Sequence, residues 1–305
     1  MTTTFNTMPP SALRRPFVRR SIIGAVALAL VLATTGCSLV KLGYGQASGL
    51  AYRWLDGYAD FDNEQSLKVR AALDDTLAWH RRTQLPDYVQ LLARAESEVA
   101  GDATPERMCA WASELRARAE PVLQYLAPTI AQVGRTLSPA QIAHIEKRFA
   151  ESNEEYRDEH LQRDPQRRQK AEVKRQVERA ETFYGRLDAA QRDLVAHSVA
   201  TSPYDGELAY AERKERQKDM VSLLRRLRDS SGGDDALVQV RAYLGGIDRS
   251  PRESYRRYSD RVVAHRCALA SELQNSASAA QRREAAKTLA GYRADARDLM
   301  GDAAS

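Results

Sequence analysis

Beyond residue 44 apolar side chains recur at three- and four-residue intervals in nearly every segment, and no stretch joins strand alternation to hairpin turn signals. The pattern predicts an all-α architecture, a multi-helix bundle built from long amphipathic, charge-rich helices. A first helix over 46–58 sets Leu50, Trp54 and Tyr58 on one stripe, and a second over about 63–82 contributes Leu67, Leu73, Leu77 and Trp79. Pro86 opens a third that carries Tyr88, Leu91, Leu92, Ala95 and Val99. Thr104 then caps a fourth, with Pro105 at its first position, where a missing N–H costs nothing. Pro121 and Pro128 are expected to kink or divide the next helical segment.

Four later helix starts share one spacing. Ser138-Pro-Ala-Gln141, Asp188-Ala-Ala-Gln191, Ser250-Pro-Arg-Glu253 and Ser278-Ala-Ala-Gln281 each put a capping oxygen three residues before a Gln or Glu that can reach back. Such boxes satisfy N–H groups that a helix end leaves unpaired. Leu137 before the first box is positioned to pack on Ile142, and Ile142, Ile145, Phe149 and Tyr156 then mark one side of a surface helix. Residues 154–181 are dense in both signs of charge, which reads as a solvated helix laced with i to i+4 pairs, or as a projecting arm that grips another protein. Ser202-Pro203 and 230–233 are the best breaks. A short helix with Leu237, Val240 and Tyr243 comes next, then two longer ones from Ser250 and Ser278.

The amino terminus has a different pattern. Arg14, Arg15, Arg19 and Arg20 run into an apolar stretch over 22–33 and then Thr34-Thr35-Gly36-Cys37, the order of an export signal with a lipidation box. Twelve helical residues rise about 18 Å, short of the roughly 30 Å hydrocarbon core, so a cleaved signal is favoured over a permanent span. The competing reading is an uncleaved anchor, because no charge occurs between Ser21 and Val40. Thr34 stands where such signals prefer Leu. Cys37 would become the first mature residue and carry acyl chains, and more than one chain makes membrane retention stable. Ser38, which is not Asp, points to the outer membrane over the inner by resemblance to the sorting preference of many Gram-negative lipoproteins, with the body facing the periplasm.

Charge changes the picture once the signal is set aside. Of 46 basic residues four lie in the signal with no acidic one, leaving 42 against 41 acids in residues 37–305. A near-neutral body of this kind argues against nucleic acid, which needs a basic face to displace counterions. The organisation expected is a signal peptide over 1–36, a lipidated tether over 37–45, an N-terminal helical region over 46–230 and C-terminal helices over 231–305 that pack back on it.

Candidate chemistry is sparse. Cys109 and Cys267 either pair in an oxidising periplasm, joining the C-terminal helices to the N-terminal ones, or are two buried apolar residues. His80, His144, His160, His197 and His265 form no His-Glu-x-x-His motif, and His160 beside Glu155 and Glu159 is the one local cluster with ligand-like chemistry. No nucleophile elbow, P-loop or dinucleotide turn is present in the sequence. The expectation is therefore no catalytic residue, no cofactor, no metal and no small-molecule ligand. Trp54, Trp79 and Trp111, with Tyr52, Tyr58 and Tyr88, gather in the first third, as a core where the first helices cross, or alternatively as a partner groove or a patch against the membrane. In that alternative His80-Arg81-Arg82 meets lipid phosphates or a carboxylate.

Tyr52-Arg-Trp-Leu-Asp-Gly-Tyr58, Trp79-His-Arg-Arg-Thr-Gln-Leu-Pro-Asp-Tyr88, Leu137-Ser-Pro-Ala-Gln141 and Glu212-Arg-Lys-Glu-Arg-Gln217 before Leu223-Leu224 together resemble an uncharacterised family of helical proteobacterial lipoproteins, over roughly residues 37–230. The resemblance implies a shared helical fold and an envelope address, with no catalytic residues to carry over. More loosely, Leu137-Ser-Pro-Ala-Gln141 and Leu187-Asp-Ala-Ala-Gln191 are similar to the Leu-Thr-x-x-Gln boxes of small periplasmic stress chaperones of the Spy type, cradle-shaped helical dimers that hold unfolded clients. Function is thus expected to be protein contact by a lipid-anchored helical body with an unknown envelope partner. The alternatives are a client-binding chaperone and an unrecognised envelope enzyme.

Overall fold

The structure, a computed structural model, describes residues 39–161, 164–230 and 232–301. The signal over 1–36 and the lipidation site Cys37 lie outside the described residues. The helices are α1 (Leu39–Gly45), α2 (Ala47–Ala59), α3 (Asn63–Thr83), α4 (Leu85–Glu98), α5 (Pro105–Ala117), α6 (Ala119–Thr136), α7 (Pro139–His160), α8 (Pro165–Tyr184), α9 (Ala189–Ala200), α10 (Gly206–Asp229), α11 (Gly233–Gly245), α12 (Glu253–Ser276) and α13 (Ala279–Gly301). The protein is all-α, with no strand among the described residues. No helix among them is long and apolar enough to cross a membrane. From Tyr44 onward the chain is one compact unit.

Local chemistry sets the helix boundaries. Ser138 and Asp188 make full capping boxes with Gln141 and Gln191, and Ser278 and Gln281 exchange the same two hydrogen bonds. The structure adds a box of the same spacing, Asp62 with Gln65, at the start of α3. It removes another: α12 starts at Glu253 with Arg252 as its cap residue, and Ser250 Oγ accepts from the Arg252 N–H instead of forming a box with Glu253. Of the kink or division expected at Pro121 and Pro128, the division does not occur. The chain breaks earlier, at Arg118, and α6 runs through both prolines, Pro121 sitting in its first turn where no i−4 bond is lost.

The tertiary arrangement is an exchange between two sets of six helices, α2–α7 and α8–α13. Within each set the first helix packs on the second and the sixth, and the second packs on the fifth: α2 on α3 and α7, α3 on α6; α8 on α9 and α13, α9 on α12. Between sets the third helix of each packs on the sixth of the other, α4 on α13 and α10 on α7. The fourth packs on the fifth of the other, α11 on α6 and α5 on α12. Each set is thus completed by the other.

The boxes are where the repeat shows at atomic detail. Gln65 Nε2 donates to the Thr136 carbonyl at 3.0 Å, and Gln141 Nε2 donates to the Asp60 carbonyl at 2.8 Å and to Gln65 Oε1 at 2.7 Å. In the second set Gln191 Nε2 donates to the Ser276 carbonyl at 3.3 Å, and Gln281 Nε2 to the Arg186 carbonyl at 3.0 Å and to Gln191 Oε1 at 2.8 Å. Thr136 and Ser276 each return their hydroxyl to a carbonyl three residues back, Val133 and Leu273. Leu137-Ser-Pro-Ala-Gln141 and Leu187-Asp-Ala-Ala-Gln191 therefore belong to different places in the repeat, one before a sixth helix and one before a second.

Candidate functional site

The cavity that distinguishes the molecule is a groove of about 1220 Å³ between the two sets, lined by α2, α3, α6 and α7 of the first and by α10, α11, the turn after α11 and the start of α12 of the second. Its wall is alkyl and aromatic: Leu55 and Tyr58 from α2, Leu73 from α3, Leu126, Ile130 and Val133 from α6, Phe149 from α7, Leu224 from α10. Helical spacing explains the α6 contribution, since Leu126, Ile130 and Val133 recur at four and three residues and so share a face.

Trp54 stands at the groove's edge and is 64% exposed, with Leu50, one turn earlier, 51% exposed. The stripe expected to enter the core thus lies at the surface, and Leu67, 71% exposed, departs from expectation in the same way. Of the six N-terminal aromatics only Tyr52 is buried; its ring lies under Arg70 and its hydroxyl donates to Ser66 Oγ at 2.9 Å. Trp79 stacks on Tyr125 at 4.3 Å, and Trp111 donates its indole N–H to Glu98 at 3.0 Å. These rings are spread over separate contacts and do not form one aromatic core. Trp54 instead leans on Tyr58, which leans on Phe149, a line of rings running into the groove.

The groove's polar side comes from α10. Glu212 is buried and accepts from Arg216 Nε at 2.9 Å and from Arg252 Nη1 at 3.3 Å, while Arg252 Nη2 also donates to Asp219 at 2.7 Å. Arg216 further donates to the Ile247 carbonyl, tying α10 to the turn after α11. A buried carboxylate is tolerated there because two guanidiniums surround it. Burial pulls the Arg252 pKa down, but the hydrogen bond with Asp219 and the charges of Glu212, Asp219 and Glu215 outweigh it and hold it above the ordinary arginine value. Burial raises the pKa of Tyr243 and Tyr255, both in the groove wall, so both hydroxyls stay neutral.

Arg213 is held differently. Its Nε donates to Asn153 Oδ1 at 2.9 Å, its Nη2 to Ser152 Oγ at 2.7 Å, and its guanidinium lies 5.3 Å from the centre of the Tyr156 ring. All of these partners are neutral.

The residues singled out in sequence do not converge on one site, although the two cysteines meet. Cys109 on α5 and Cys267 on α12 are joined by a disulfide, with Cα atoms 5.3 Å apart across a sequence separation of 158. His80 bonds the Tyr44 hydroxyl at 2.8 Å, His265 lies 2.9 Å from Ser198 Oγ, and His160 lies 3.7 Å from Glu159. Among the described residues no group of three or more His, Cys, Asp or Glu side chains is arranged to hold a metal ion. The run from Glu212 to Gln217 was visible in sequence without assigned chemistry. Its one signal was the i, i+4 spacing of Glu212 and Arg216, which many solvated helices share.

No curated protein and no solved structure matches the chain. Residues 57–242 match the model of a family of unknown function (DUF6279), an interval that runs from the end of α2 into α11 and holds most of the groove wall. The chain belongs to that uncharacterised family.

Proposed function

We propose that this protein is a lipid-anchored envelope lipoprotein, tethered through acyl chains on Cys37 at the outer membrane, whose periplasm-facing helical body works by binding an apolar ligand in the groove between the two sets of helices and carries out no chemistry. The groove carries this reading. It is large enough for a ligand, predominantly apolar, and bordered by a few fixed polar groups, the usual constitution of a binding site. The sequence offered no sign of a small-molecule ligand because the wall is assembled from helices far apart in the chain. The basic, apolar and small-residue order before Cys37 supports the tether.

Two measurements test it. Mass spectrometry of native protein should recover Cys37 as an acylated first residue, and an unprocessed amino terminus would remove the anchor. The unit over 44–305, which holds its own core and disulfide, should bind an apolar fluorescent dye, and Ile130→Trp should block that binding. A dye signal indifferent to Ile130→Trp would move binding out of the groove. A second reading, a client-binding protein, is favoured by the exposed Leu50 and Trp54. It requires suppression of client aggregation by the same unit, lost in Trp54→Ser.

A further inference from the structure

We infer that the groove is a site for a long-chain carboxylate, a fatty acid whose chain lies along the apolar wall and whose head group is held by Arg213. The inference rests on the groove being a binding site, as proposed above, and adds the class of ligand.

Charge is the first argument. Four arginines line the groove or its polar side. Arg216 and Arg252 are engaged by Glu212 and Asp219. Arg213 and Arg226 have no carboxylate within ion-pair distance among the described residues, Arg226 bonding only Gln239 at 3.2 Å. Arg213 is the better placed of the two. Neutral groups fix two of its three nitrogens and a ring lies beneath it, while its Nη1 makes no hydrogen bond among the described residues. A guanidinium oriented in this way, with an uncompensated charge and one open nitrogen, suits a carboxylate oxygen. A doubly charged phosphate would also meet Glu212, Asp219 and Asp248 in the same groove, which favours a singly charged head.

Size is the second. A methylene occupies the volume of a water molecule in the liquid, about 30 Å³, so a chain of sixteen carbons needs roughly 500 Å³. The groove's volume of about 1220 Å³ exceeds that, and Leu55, Leu126, Ile130 and Val133 are in its lining.

The third argument comes from the repeat, which shows that the helical framework does not by itself produce this lining. Leu55 on α2 corresponds to Glu181 on α8, which is committed to Arg192 and to the Leu187 N–H. Tyr58 corresponds to Tyr184, whose hydroxyl is tied to Gln274 at 2.8 Å, whereas no hydrogen bond to the Tyr58 hydroxyl occurs among the described residues. At these two positions the first set has an alkyl chain and a phenol with no hydrogen bond among the described residues, where the second has a committed carboxylate and a bonded phenol.

The test is titration calorimetry on the 44–305 unit with dodecanoate and with dodecan-1-ol, which share a chain and differ in head-group charge. Dodecanoate should bind at least tenfold more tightly. Arg213→Gln should bring the acid down to the affinity of the alcohol without changing the alcohol, and Arg213→Lys should keep part of the difference. Equal binding of acid and alcohol, or an acid affinity indifferent to Arg213→Gln in a variant that melts like the parent, overturns the carboxylate inference and leaves the groove reading standing. Failure of both ligands to bind overturns both. An amphipathic helical peptide that binds where dodecanoate does not assigns the groove to a peptide and also overturns the inference.

Discussion

Gln191 and Gln281 face each other across the junction of α9 and α13, each carboxamide donating to the other's oxygen, at 2.9 and 2.8 Å, while each also closes the capping box of its own helix. Gln191 is buried and Gln65 holds the same position in the first set. One side chain therefore serves a local cap and a contact 90 residues away. Gln191→Met keeps the volume but leaves the Asp188 N–H, the Ser276 carbonyl and the Gln281 amide without this partner. A buried polar group stripped of its bond costs about 1–3 kcal/mol, so urea denaturation should show a loss in that range. A loss under about 0.5 kcal/mol would mean that water replaces the side chain.

The disulfide ties the fourth helix of one set to the fifth of the other. At the corresponding place in the other set, Ala127 of α6 packs in one cluster with Ala236 and Val240 of α11. Covalent and apolar contacts thus do the same job at the two exchange points. For a loop of 158 residues the chain-entropy model gives about 5 kcal/mol. Cys109→Ser should lower the denaturation midpoint strongly and abolish the mobility shift that the parent shows on reduction. An unchanged midpoint would place the stability in the apolar contacts alone.

Gly134 of α6 packs against Leu227 of α10. A Cβ added there would stand 2.7 Å from Leu227 Cδ1, and Leu227 is fully buried. Gly134→Ala gains about 1 kcal/mol of helix propensity but overpacks a site where such insertions cost about 1–3 kcal/mol. The strain outweighs the gain, and the melting temperature should fall by a few degrees. Leu227→Val in the same chain should recover part of it. A variant that melts higher than the parent would show that Leu227 moves aside freely.

His80 supplies a pH dependence. Burial holds its pKa below the ordinary histidine value, and its Nδ1 bonds the Tyr44 hydroxyl. The folded state therefore takes up its proton less readily than the unfolded chain. Its contribution is fully present above about pH 6.5, the unfolded value, and is lost as pH falls through that value towards the lower folded one. Urea midpoints measured from pH 7.5 to 5 should fall, and His80→Gln should flatten part of that fall. Parallel curves for the two proteins would assign the decline to other groups.

Local regularities made the helices legible. A capping box spans three residues and an amphipathic stripe repeats every three or four, so both are written in consecutive sequence, and the boxes at Ser138, Asp188 and Ser278 start helices as expected. The failures have physical causes. Leu50 and Trp54 form a regular stripe, yet periodicity reports that a face is apolar without reporting what covers it. Ser250 has the spacing of a cap, but Arg252 draws its side chain to the Glu212 and Asp219 carboxylates and the helix starts two residues later than the box requires.

The sequence alone determined that this protein is helical, where most of its helices start, and that its body is nearly neutral once residues 1–36 are set aside, because hydrogen bonds between near neighbours and the sum of charges need no third dimension. Only the tertiary structure decided that Gln65 meets Gln141 across 76 residues, that two sets of six helices complete each other, and that Arg213 lines an apolar groove with an open guanidinium nitrogen. Those relations depend on which helix faces which, and packing across long separations sets that in a way spacing along the chain cannot express.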